Sequence, residues 1–291
     1  MRLRSCEWVL IGYFVWVAAI SPFFAQREPQ RLYAPLVAVI VFLLLVTLAR
    51  SKFSIARDWT PLALTLLAYR EMDWFTPKHQ DHHLELSWIT WDRALLHDWG
   101  LQKAIESTGW ALPGYLEFCY LLVYAVGPFT LAILYVFNRR DLVSRVLFVY
   151  LLGTLLAYAM FPFFPSGPPR TVFPNADLPV VTTAFRRLNL FLVNNYGIHS
   201  SVFPSAHVSS AFSAAWALLM FWPAKRRLGW GLAIYAISVS LATIYGRYHF
   251  LADAAAGLGV SVLAAALTYL LNRPGRSSSV TSVGSLSPSF K

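Results

Sequence analysis

Long apolar runs at 8–25, 32–49, 115–137, 146–161, 208–222, 228–244 and 250–271 alternate with short turns rich in Arg and Lys. This alternation limits what the chain can become. About 20 apolar residues in a helix cross the ~30 Å hydrocarbon core of a bilayer. Inside that core only a helix or a closed barrel satisfies the backbone's polar groups. The chain is 57% hydrophobic and 13% charged, whereas soluble domains carry roughly a quarter charged residues. The expected fold class is an all-α integral membrane protein. A net charge of +10 over 291 residues is too dilute for a nucleic-acid partner, and the basic residues fall in turns where they set topology. Cys6 and Cys119 lie in or beside apolar runs and read as buried thiols. The basic start at Arg2 and Arg4 is followed by a run long enough to be a retained span and by no small-residue cleavage site.

A shorter run at 61–69 reads as a tilted or shallow span, or as a buried or interfacial segment. Counted as a crossing, it brings the total to about eight, with both termini inside. Residues 1–72 then form N-terminal transmembrane helices, 73–112 an interfacial region, 113–272 a catalytic core and 273–291 a Ser-rich disordered tail. The tryptophans Trp88, Trp91, Trp99 and Trp110 suit a headgroup-level belt, and 87–107 reads as one amphipathic interfacial helix. The loop 162–204 is rich in Pro and Gly and has no apolar period.

Two polar clusters sit where loops give way to apolar runs. Pro204-Ser205-Ala206-His207 is a helix start: Ser205 can cap it, leaving first-turn N–H groups, Ala206 included, for an anion. Further on, Arg247, His249 and Asp253 place a histidine and a carboxylate at i and i+4. Counting crossings puts Arg170, Ser205, His207, Arg247, His249 and Asp253 at one membrane face. The opposite face receives Arg139, Arg140, Arg145, Lys225, Arg226, Arg227, Arg273 and Arg276, which marks it as cytoplasmic. The site thus faces outward. Two histidines, an aspartate, arginines and a helix start supply what phosphoryl transfer through a phosphohistidine requires.

These residues resemble the type 2 phosphatidate phosphatase superfamily, which also contains vanadium haloperoxidases and sphingolipid head-group transferases. Its Pro-Ser-Gly-His motif is matched by Pro204-Ser205-Ala206-His207, and its His-x-x-x-Asp motif by His249 and Asp253. The resemblance covers roughly 110–271 and implies a six-helix core. The Pro-rich stretch from Phe161 to Arg170 is similar to the first motif of the inositol phosphorylceramide synthase-like branch. Two departures stand out: Phe163 replaces the family's first-motif lysine, and Thr243 occupies the usual third-motif arginine position. Arg247 lies one turn beyond Thr243 on a continuing helix. The resemblance implies that His249 is the nucleophile, that Asp253 fixes its tautomer, and that His207 is the acid and then the base. It implies that Arg170, Arg247 and the Ser205–Ala206 helix start hold the phosphate, with no metal or other cofactor.

The reading is a membrane enzyme, a lipid phosphate phosphatase or phosphotransferase, acting on a phospholipid, polyprenyl phosphate or sphingolipid in the bilayer. A sphingolipid or inositol head-group transferase shares all three catalytic residues. A proton-coupled transporter would place such groups near the midplane, whereas these lie within a turn of helix starts. His79, His82 and His83 do not have a metal-ligand spacing.

Overall fold

The computed structural model describes residues 2–272. The tail from Arg273 onward, with the expected basic positions Arg273 and Arg276, lies outside the described residues. All regular structure among the described residues is helical, so the chain is an all-α membrane protein.

Three helices precede the core: α1 (Ser5–Phe24), α2 (Glu28–Arg50) and α3 (Ser54–Glu71). Next come α4 (His83–Arg93), extended by a wide turn over Ala94–Asp98, and α5 (Leu101–Glu106). The bundle continues with α6 (Ala111–Leu122), α7 (Val126–Val136) and α8 (Val143–Met160). A long loop carries the short α9 (Pro169–Val172) and α10 (Ala184–Tyr196), and leads to α11 (Ala206–Phe221), α12 (Arg226–Tyr245) and α13 (Leu251–Leu271). Among the described residues, six segments are long and apolar enough to cross a membrane: α1, α2, α6 with α7, α8 with its flanking turns, α12 and α13. α11 is apolar but has 16 residues. It is the central helix, with α8, α12 and α13 packed around it.

α3 runs the length of the bundle. At one end Asp58, 2% exposed, accepts from Arg4 of the N-terminal segment at 2.5 Å, Arg140 before α8 at 2.7 Å and Tyr135 at 2.6 Å. Beside it the buried Glu7 takes two bonds from Arg57. At the other end Ile198 N–H donates to the Tyr69 hydroxyl at 3.1 Å, and Arg70 donates to the Tyr196 carbonyl at 3.0 Å. The basic turns and the loop 162–204 therefore sit at opposite ends.

Two local expectations need correction. Residues 87–107 are not one interfacial helix. The chain breaks at Gly100, where φ is +72°, and the polar face of α4 is buried. Trp88 stacks on Phe203, while Trp91, Trp99 and Trp110 are exposed. The segment caps the site end because Glu85 and Asp92 need buried donors: Glu85 accepts the Gly167 N–H, and Asp92 accepts from Leu251 N–H and Arg247. The second correction concerns the loop 162–204, which contains α10, capped by Thr183. α10 is amphipathic with its polar side inward: Arg186 and Asn189 are buried, while Phe185, Leu188 and Phe191 face out. An apolar face turned outward at the end of a membrane bundle suits the bilayer interface.

Candidate active site

The site is assembled from three loop-to-helix junctions. α12 ends at Tyr245, and the N–H groups of Tyr248 and His249 both fold back onto the Thr243 carbonyl, at 2.9 and 3.1 Å. The reversal puts Arg247 in the left-handed region, φ +60°. Arg247 is consequently not on a continuation of α12. His249 lies just before α13, and Asp253 is third in that helix, where its Oδ2 accepts the Phe250 N–H at 2.8 Å. His249 and Asp253 thus meet across a helix start rather than along a helix face, with Nδ1 3.3 Å from Oδ2.

Ser205 caps α11, its hydroxyl accepting the Val208 N–H at 3.4 Å. Its own N–H donates to the Asp253 carbonyl at 2.9 Å. These ties bring His207 Nδ1 within 3.3 Å of His249 Nε2. Tyr120 and Tyr124 flank His207, with ring centroids 5.2 and 5.4 Å away. The N–H groups of Ala206 and His207 belong to the first turn of α11 and have no acceptor within the helix.

The third junction carries Arg170, whose N–H donates to the Arg247 carbonyl at 3.3 Å. Its guanidinium lies over the Tyr248 ring, 5.5 Å from the centroid, and its buried Nε has no hydrogen-bond partner. Its charge reaches both imidazoles. Burial first, then Arg170, pushes the His249 imidazole down to about 3. The ring is neutral at ordinary pH, the form in which an imidazole nitrogen can attack.

Arg170, Ala206, His207 and His249 line one cavity of about 420 Å³. Ser205, Arg247 and Asp253 support it from behind. Arg247 is fully buried, does not line the cavity, and pairs with Asp92, with Asp177 4.0 Å away. Sequence reasoning missed Asp92 as this partner. It also missed a buried network behind Tyr248: the Tyr248 hydroxyl donates to Glu117 at 2.7 Å, and Glu117 also accepts from Arg186 and Asn189, each at 2.8 Å. Tyr120 stacks on Tyr248 at 3.9 Å. One signal existed, a glutamate inside an apolar run, since such a group requires a partner. Of the outer histidines, His82 contacts Glu85, His83 contacts Asp81 and His199 contacts Asp73.

Fold and site together define a multi-pass, all-α membrane protein with a histidine pair and a guanidinium converging at one end of its bundle. The PAP2 superfamily model matches residues 87–267, more than half of the chain, and the protein belongs to that superfamily. Membership supports a phosphatase-type phosphoryl-transfer function and a lipid-type substrate in the bilayer. Comparison with curated proteins and with solved structures finds no match.

Proposed function

We propose that the protein is a lipid phosphate phosphatase working through a phosphohistidine on His249. The observation that carries this reading is the convergence of His249, His207 and the unpartnered Arg170 Nε on one cavity. Phosphate binding parts the two rings. Arg170 and the N–H groups of Ala206 and His207 then hold the non-bridging oxygens. His249 Nε2 attacks phosphorus, forming the N–P bond as the ester P–O bond breaks. His207, charged by the proton that the phosphate monoester monoanion gives up on binding, delivers that proton to the departing alkoxide. Water then attacks the phosphohistidine, His207 takes its proton, and the N–P bond breaks to release phosphate. Asp253 holds the His249 Nδ1 proton, keeping Nε2 free.

Arg247 acts from behind, balancing Asp92 and fixing the reversal that presents His249. An acceptor alcohol in place of water turns the same intermediate into a head-group transferase. The basic turns at the far end favour an extracytoplasmic site in this reading, which counts α3 and α11 as spans for eight crossings.

Purified protein incubated with ³²P-labelled phosphatidate and polyprenyl phosphate, with and without inositol, tests the reading. Labelled inorganic phosphate and an acid-labile, His249-dependent phosphoprotein are expected. Labelled phosphoinositol would assign transfer. Turnover that survives His249→Ala would overturn the mechanism.

A further inference from the structure

The cavity does not stop at the histidines. It continues along α3, where Trp59, Leu62, Ala63, Leu66 and Tyr69 line it. Their spacing of three and four residues puts them on one face of the helix. At 1.5 Å per residue this stripe is ~15 Å long, about half of the ~30 Å hydrocarbon core. The opposite wall comes from α7 and α8. Near its far end, a Cβ at Gly127 would lie 2.9 Å from Leu62 and 2.8 Å from the Tyr150 hydroxyl, so α3, α7 and α8 are in contact there. Along this wall Trp59, Ala63, Leu66 and Tyr124 all line the cavity and are exposed, Leu66 to 67% and Tyr124 to 50%. The cavity therefore opens sideways, at the depth of the spanning helices. Arg170 is the lining residue with a permanent charge, and it sits at the histidine end.

Resting on the phosphatase reading, we infer that this crevice receives one hydrocarbon chain of the substrate lipid, entering from the bilayer between α3 and α7. Ala63 and Leu66 then set which chain fits. An apolar chain suits the crevice because it leads away from the charged site at membrane depth and opens to lipid. A volume of about 420 Å³ is that of a pocket for a single small ligand (~300–1,000 Å³), which favours one chain over two. α3 precedes the family match at 87–267, so this wall is a feature of this chain and not of the matched region.

The test uses butyl and hexadecyl phosphate presented in one detergent, so that partition into micelles cancels between variants. The quantity read is the ratio of kcat/KM for hexadecyl over butyl phosphate. Ala63→Phe fills the crevice and is expected to lower that ratio about tenfold or more, the size that misfit in an apolar pocket produces. Leu66→Ala widens it and is expected to raise turnover of the branched phytanyl phosphate relative to hexadecyl phosphate. Ratios unchanged from wild type in both variants would overturn the crevice assignment. Should Ala63→Phe not fold, the Leu66→Ala ratio alone decides. Loss of His249-dependent turnover on every probe in the wild type is a separate result, and counts against the phosphohistidine reading instead.

Discussion

The backbone N–H of Ser205 donates to the backbone carbonyl of Asp253, so the start of α11 hangs from the first turn of α13. The contact is tight because Gly257 faces the Ser205 carbonyl, where any Cβ would collide. Gly257→Ala should push α11 away and separate His207 from His249. The expected outcome is a loss of turnover together with ~1–3 kcal/mol of stability, the usual cost of overpacking. Turnover and thermal unfolding in detergent measure the two effects.

The two histidines should respond differently to the leaving group. An aryl phosphate with an acidic phenol departs without a proton. It should restore part of the rate in His207→Ala and none in His249→Ala, against a general-acid contribution of ~10²–10⁴-fold. Rescue of His249→Ala alone would exchange the roles of the two residues.

Asp92 gives a pH signature. Burial first pushes its carboxyl up to about 6, against the pull of the Leu251 N–H and the Arg247 charge. It is an anion above that pH and neutral below it. The hold on Arg247 weakens as pH falls through about 6, and kcat/KM should fall with it. In Asp92→Asn this acid limb should vanish from the profile. A limb that persists unchanged belongs to another group or to the substrate.

The Glu117 network should be structural in its largest effect. Glu117→Ala leaves Arg186 buried without its carboxylate, which typically costs ~3–5 kcal/mol. Tyr248→Phe removes one hydrogen bond and should cost ~1 kcal/mol, leaving the ring under Arg170 in place. Denaturation of the two variants should rank them in that order.

Topology can be checked with cysteines at Asn175 and Arg226, which should label oppositely with an impermeant thiol reagent. Labelling of the Arg226 position alone in sealed, right-side-out cells would invert the proposed orientation.

The spans were legible because apolar length is a local property, and the meeting of His207, His249 and Asp253 at one end of the bundle was foreshadowed by two short motifs. The reversal after α12 was not. Nothing local in Tyr245-Gly246-Arg247 announces that both Tyr248 and His249 will donate to Thr243, so Arg247 was expected to continue the helix. α10 was hidden by inversion, since its polar residues point inward to Glu117 and its apolar ones outward. Asp92 could not be assigned because its partner is far away in sequence.

That distance has a consequence for biosynthesis. Asp92 and Arg247 are 155 residues apart. At ~5–20 residues per second, the carboxylate is made roughly 8–30 s before the guanidinium that will neutralise it. During that interval most of the bundle's helices are inserted while Asp92 still needs water. α4 can therefore complete its buried contacts only once the loop before α13 has emerged. The cap over the site is among the first parts of this region to be translated and among the last to reach its place.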